Sequence, residues 1–201
     1  RLWDIESGEC KKEYQNHNSI MSVGVCLDGK YFISGLWYGH CYLWNIESGK
    51  CDQIYNGHTD VVHKIRMCLD GEYFISCSQD KTCRLWNIES GECERIYKWL
   101  YISMRHKIYG IAVCLDGVHF ISGKWNETVR LWNIKSGELW NIRKKGYKKI
   151  YKKTLYNILT IEMCLDGVHF ISGEINGLIR LWRLPKCACG IFEEDNTHVC
   201  I

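Results

Sequence analysis

Cys68-Leu69-Asp70-Gly71-Glu72-Tyr73-Phe74-Ile75-Ser76-Cys77-Ser78-Gln79-Asp80-Lys81-Thr82-Cys83-Arg84-Leu85-Trp86-Asn87-Ile88-Glu89-Ser90-Gly91 decides the fold. Leu-Asp-Gly is a turn signal: the Asp side chain bonds nearby backbone amides and the Gly accepts a left-handed conformation. A short apolar run, Tyr73 to Ser76, follows it. A second run, Cys83 to Ile88, ends at the turn signal Glu89-Ser90-Gly91. Each run alternates with a period of two, so both are strands.

The same pattern recurs along the chain. Cys-Leu-Asp-Gly begins at Cys26, Cys68, Cys114 and Cys164, and Leu-Trp pairs end at Trp3, Trp44, Trp86, Trp132 and Trp182. From the first full copy onward both series step by 42, 46 and 50 residues, while each Cys lies 18 residues before its Trp. All length variation therefore falls between a Trp and the next Cys. Beyond each Trp a turn leads to a further short strand, such as Glu94 to Tyr97, and Val61 to Cys68 opens the next copy. Four antiparallel strands in about 40 residues is the size of one propeller blade. The reading is all-β, with four complete blades at about 17–57, 58–98, 105–143 and 157–192, preceded by a partial blade at 1–16. The repeat region runs over 1–185, and 186–201 forms a Cys-rich tail that overlaps the last outer strand. Arg1-Leu2-Trp3-Asp4-Ile5 matches the middle of a repeat, so the natural start is expected upstream.

Composition agrees with a folded core: 46% of the 201 residues are apolar and 13% aromatic. The formal net charge of +3 is too small to imply nucleic acid by itself. Its distribution matters more. Seven of the 26 bases lie in the eleven residues from Arg143 to Lys153, which hold no acid. No apolar run approaches the roughly 18 residues of a membrane span. Nine of the thirteen cysteines recur at equivalent repeat positions (Cys10, Cys26, Cys41, Cys51, Cys68, Cys83, Cys93, Cys114 and Cys164). They read as small buried hydrophobes rather than a disulfide framework, which places the chain in a reducing, intracellular compartment, cytoplasmic or nuclear. The Asn126-Glu127-Thr128 sequon is the opposing signal.

Gly57-His58, Leu69-Asp70-Gly71, Ser76, Asp80-Lys81-Thr82 and Arg84-Leu85-Trp86-Asn87 fall in the order and spacing of the WD-repeat family, which the chain resembles from Arg1 to about Pro185. Asn87, Asn45 and Asn133 stand where the family has Asp, and Arg183 makes a different replacement. The partial first copy keeps Trp3-Asp4. The family most often uses seven blades, so four and a half resemble a fragment, or an arc that pairs with a second copy.

His58, Ser76 and Asp80 are also the residue types of a hydrolase triad. The resemblance implies instead that they join Trp86 in a structural tetrad inside one blade. In the other copies Ser34, Ser122 and Ser172 are kept with Trp44, Trp132 and Trp182, but Tyr38, Asn126 and Asn176 replace the Asp. His17 and His106 fill the His place in two of them. The others are accordingly expected to be less rigid.

If the family arrangement holds, the loop after each second strand and the loop before each first strand emerge together on one rim. That rim should display Trp37, Tyr38, Gln79, Trp125 and Ile175, with Trp99 and Tyr101 from an enlarged loop. Aromatics of this kind anchor partners, although Trp37 and Trp125 can equally cover the tops of neighbouring blades. The basic loop, Arg143, Lys144, Lys145, Lys148, Lys149, Lys152 and Lys153, interleaves with Tyr147 and Tyr151. It is either a solvated loop or a site for RNA or an acidic protein surface. Cys187, Cys189, His198 and Cys200 offer soft ligands, but their spacing matches no recognisable finger, so a tail without metal is the expectation over a zinc site. No motif calls for a cofactor, and no phosphate-binding glycine loop or nucleophile elbow occurs. The function expected is a non-catalytic protein–protein scaffold within a multisubunit complex; the alternative is RNA or acidic-surface binding through 143–153.

Overall fold

The computed structural model describes residues 1–16, 18–98, 107–124, 129–139 and 158–184. Every regular element among them is a β-strand. A short hairpin comes first, β1 (Leu2–Trp3) with β2 (Cys10–Lys12). Sheet 1 holds β3 (Ile20–Val25), β4 (Tyr31–Leu36), β5 (Cys41–Asn45) and β6 (Cys51–Tyr55). Sheet 2 holds β7 (Val62–Met67), β8 (Tyr73–Ser78), β9 (Thr82–Asn87) and β10 (Cys93–Lys98). Sheet 3 contains β11 (Ile108–Val113), β12 (His119–Lys124) and β13 (Val129–Asn133), and sheet 4 contains β14 (Ile158–Met163), β15 (His169–Glu174) and β16 (Ile179–Arg183). Each sheet is an antiparallel meander in chain order. A bridge from Trp132 to Leu139 continues sheet 3 in the register in which Trp44 meets Cys51 and Trp86 meets Cys93.

The turns hold this register through one chemical device. Asp28, Asp70, Asp116 and Asp166 each accept two backbone N–H bonds, from the second and third residues after them, at 2.8 to 3.3 Å. The turns after the Trp strands work alike, with Asp4, Asn45, Asn87 and Asn133 each accepting the amide of the Ser three residues on at 2.8 Å. An amide oxygen accepts this bond as a carboxylate does. The Asp-to-Asn replacements therefore leave the turn intact.

The sheets pack face to face along the chain. β7 lies against β3 and β4, β11 against β7 and β8, and β14 against β11 and β12, so the four sheets form an arc whose ring is not closed. The core sits in the seams. Ile33, Cys41 and Leu43 of sheet 1 cluster with Val62, Ile65, Phe74 and Trp86 of sheet 2. The next two seams repeat this arrangement. Gly35 and Gly123 are narrow points: a Cβ there would approach Val62 and Ile161 to 2.7 Å.

A tyrosine crosses each of three sheet boundaries. Tyr14, Tyr55 and Tyr97 each follow a Leu-Trp tryptophan by 11 residues. Their rings pack edge-on against Phe32, Phe74 and Phe120 at 4.8 to 4.9 Å. Their hydroxyls donate to the carbonyls of Ile46, Ile88 and Ile134 at 2.9, 2.9 and 2.5 Å. In each receiving sheet the Phe ring stacks on the Trp.

The cysteines follow the buried-hydrophobe expectation only in part. Cys26, Cys41, Cys68, Cys83 and Cys114 are buried, as is Cys77, whereas Cys10 is exposed and Cys51, Cys93 and Cys164 are intermediate. Cys10, Cys51 and Cys93 lie on fourth strands at sheet edges, where each thiol turns back to the carbonyl two residues on. Cys164 directly follows β14 of sheet 4, and no further sheet covers that sheet among the described residues.

Tyr97→Phe removes one buried hydroxyl bond and should lower stability by about 1 kcal/mol. Tyr97→Ala also empties the seam and should cost about 3–5 kcal/mol. Urea denaturation of both variants measures the difference.

Candidate functional site

Sheet 2 brings His58, Ser76, Asp80 and Trp86 together. His58 precedes β7, Ser76 lies in β8, Asp80 in the β8–β9 turn and Trp86 in β9. The Trp86 Nε1–H donates to Ser76 Oγ at 2.8 Å, Ser76 Oγ lies 2.7 Å from His58 Nε2, and His58 Nδ1 lies 2.7 Å from Asp80 Oδ2. Thr82 joins them, its hydroxyl 2.7 Å from Asp80 Oδ1 and 3.2 Å from His58 Nδ1.

Burial pulls the His58 imidazole below its ordinary value, outweighing the hydrogen bond and charge of Asp80. Burial pushes the Asp80 carboxyl up, but the bonds and charge of His58, with the hydroxyl and amide of Thr82, hold it down at about 2. At neutral pH the group is thus a neutral imidazole beside a carboxylate. His58 Nδ1–H donates to Asp80, and Nε2 accepts the Ser76 hydroxyl, so every proton has an acceptor. The Asp–His–Ser distances would suit nucleophile activation. Ser76 is nevertheless wholly buried and its oxygen already receives the indole proton, so no acyl substrate reaches it. The network acts as a buried polar brace for one packing arrangement.

The other sheets keep only its inner half. Trp44, Trp132 and Trp182 donate to Ser34, Ser122 and Ser172 at 2.8 to 2.9 Å. Tyr38 is exposed on the β4–β5 turn, and Asn176 uses its side-chain oxygen to cap its own turn at Leu178. His17, His106 and Asn126 lie outside the described residues.

The turns after the second strands meet the segments that lead into the first strands. Trp37 N–H donates to the Ser19 carbonyl at 3.0 Å and Gln79 N–H to the Val61 carbonyl at 2.9 Å. Ile175 occupies the equivalent β15–β16 turn. Trp37, Tyr38 and Ile175 are exposed and Gln79 is half-buried. Trp99, Tyr101 and Trp125 lie outside the described residues. So do the basic residues 143–153 and the soft ligands Cys187, Cys189, His198 and Cys200. Among the described residues no group of three or more His, Cys, Asp or Glu is placed to hold a metal ion, and no helix is long and apolar enough to cross a membrane.

Sequence reasoning missed the charges on the first strands. Arg66 and Lys64 of β7 both ion-pair with Glu162 of β14, two sheets away. The fifth position of these strands reads Gly24, Arg66, Ala112 and Glu162, and the small residues of β3 and β11 leave the long ones free to meet. The rings of His63 and Tyr109, both at the second position, lie with centroids 4.2 Å apart and planes tilted by 31°, and burial lowers the His63 value. The signal was available in the repeat register, but pairing across sheets is not local in sequence. The seam tyrosines had a clearer one in their constant distance from the preceding Trp.

Meandering antiparallel sheets set side by side, each with a Trp–Ser bond at its centre, define a propeller-type repeat protein. The family model for the WD domain, G-beta repeat, matches residues 8–45, 49–87 and 98–133. That is more than half of the chain, and the protein belongs to this family. No curated protein matches it as a relative. Sheet 4 lies beyond the matched residues yet repeats the register of sheet 3, His169 opposing Arg183 as His119 opposes Asn133.

Ser76→Ala leaves His58 Nε2 and the Trp86 indole without a partner and should cost about 1–3 kcal/mol. The pH dependence has a definite sign. The folded value of His58 is depressed, so its contribution is complete above 6.5 and is lost as the unfolded chain takes up a proton below that. That of Asp80 is lost later, as pH falls from 3.8 toward about 2. The stability gap between wild type and His58→Gln should therefore narrow from pH 7 to pH 5 in thermal melts. Lys81 has φ of 73° where equivalent turns carry Gly39 and Gly177. Lys81→Gly should raise stability by up to about 1 kcal/mol, since left-handed backbone is strained for a residue with a Cβ.

Proposed function

We propose that this protein is a non-catalytic scaffold that assembles a multiprotein complex through the rim formed by its turns. WD repeats generally mediate protein–protein interaction. The observation that carries the reading is the exposure of Trp37 and Tyr38 on a turn tied by a backbone hydrogen bond to the adjoining connection, with Ile175 exposed on the equivalent turn of sheet 4. Large apolar side chains held out on a fixed frame lose little freedom on contact, which favours binding. Ten described cysteines are free, several of them deeply buried, and burial pushes the Cys68 and Cys77 thiols up to about 12. That chemistry suits a reducing cytoplasmic or nuclear setting.

The alternative reading is that the stretch 143–153 binds an acidic partner or RNA, on the strength of its seven bases. Salt separates the two contacts, because phosphate binding weakens steeply as salt rises and apolar rim binding does not. Affinity capture with mass spectrometry, using wild type beside a Trp37→Ala, Tyr38→Ala, Ile175→Asp variant, tests the rim. The variant should keep its melting temperature and lose a defined set of partners in low and high salt alike. Retention of the full set would refute rim binding. Loss of the same set on replacing Lys144, Lys145, Lys148 and Lys149 by Glu would favour the basic stretch instead.

A further inference from the structure

The two ends of the strands carry turns of opposite character. The turns that join first to second strands and third to fourth strands emerge together, at the end away from Trp37 and Tyr38. Their residues, 26–30, 46–50, 68–72, 88–92, 114–118, 134–138 and 164–168, hold nine acids against three bases, whereas the whole chain has 23 acids against 26 bases. The described turns at the other end, 37–40, 79–81 and 175–178, hold one of each. One end of the frame is therefore acidic and the other close to neutral.

A band of leucines runs through the acidic end. Leu27, Leu69 and Leu115 each lie over the glycine of the next sheet's turn, where a Cβ on Gly71, Gly117 or Gly167 would meet them at 3.8, 3.9 and 3.6 Å. Those glycines have φ of 67 to 75°, and their bare backbone gives each leucine a shallow seat. The contact repeats without a break from sheet 1 to sheet 4. It covers one side only, and the three leucines stay 60%, 47% and 46% exposed. The core does not need them, because Cys26, Cys68 and Cys114, one residue earlier, are the buried anchors of the turns. The Asp that follows each leucine ties the turn from the other side by accepting its amides. The leucines are thus held out on fixed turns, and a continuous apolar band edged by charge marks a surface that binds.

We propose that this face docks a basic peptide segment of another protein, with its aliphatic side chains on the leucine band and its Lys or Arg side chains toward the surrounding carboxylates. Charge selects the occupant. An excess of acids repels nucleic acid, an anionic membrane and acidic peptides, whereas it draws in a cationic segment and fixes its register. Glu72, Glu89 and Glu92 of sheet 2 are exposed beside the middle of the band and supply that attraction. The surface lies at the opposite end of the strands from Trp37 and Tyr38, which leaves the frame open to two partners of different chemistry.

Fluorescence anisotropy on the 201-residue chain tests this with a labelled peptide of leucine and lysine, its leucines recurring at every third or fourth position. Wild type should bind it. Leu27→Ser, Leu69→Ser and Leu115→Ser combined should weaken binding about tenfold or more, as should Glu72→Lys, Glu89→Lys and Glu92→Lys combined. All six side chains are exposed, so thermal melts of both variants should stay close to wild type. Peptides with glutamate for lysine, or serine for leucine, should not bind. Trp37→Ala with Tyr38→Ala should leave binding unchanged, which separates this surface from the aromatic turns. Failure of wild type to bind, or binding that survives the leucine substitutions, would overturn the proposal. Loss of binding in the Trp37→Ala, Tyr38→Ala variant would overturn it equally.

Discussion

The seam between consecutive sheets is the interaction on which the rest of this structure depends. A four-stranded sheet of short strands has two apolar faces and cannot cover either by itself. Here the second and third strands of one sheet supply one wall and the first strand of the next supplies the other, with Ile33, Leu43, Val62 and Ile65 typical of both. Each buried Ile or Leu contributes about 1.5–3 kcal/mol relative to exposure. The glycines at 35 and 123 let the walls approach to contact distance.

The matched repeats are out of phase with the sheets, and this staples them together. Residues 49–87 contain β6, which closes sheet 1, and β7 to β9, which open sheet 2. One repeat therefore spans two sheets. Tyr55 is the covalent carrier of that link, placing its ring on Phe74 and its hydroxyl on Ile88 across the seam. Neighbouring sheets are coupled by chain connection as well as by burial, and separating them would expose both the aromatic cluster and a buried hydroxyl.

Sheet 2 alone among the described sheets carries the full polar brace of His58, Ser76, Asp80, Thr82 and Trp86. Its second-strand turn is correspondingly fixed, with Asp80 accepting the Thr59 and Thr82 amides. The Trp–Ser bond in the other sheets holds the interior but does not reach the turn. The outcome is a frame stiff at its centre, with turns that differ in what restrains them: Tyr38 and Ile175 project freely while Gln79 is drawn inward. Recognition sits naturally on such turns, because the frame sets their position and their side chains can vary without disturbing the seams.

The strands, the turn chemistry and the repeat were legible in the sequence because they rest on local rules: alternation within a strand, an Asp that bonds its own turn, and a constant 18-residue distance from Cys to Trp. The residues that meet in sheet 2 were also legible, through the family pattern they fit. Tertiary structure alone decided which apolar positions are covered. Residues 114–123 and 164–173 are the same ten letters, yet Ile121 is sealed and Ile171 is open. Burial belongs to the neighbouring sheet and not to the strand itself, which is why Cys164 departed from the buried reading and why the Arg66–Glu162 pair was not read from local sequence. A strand's own residues dictate its conformation, but its energy is set by what lies across the seam.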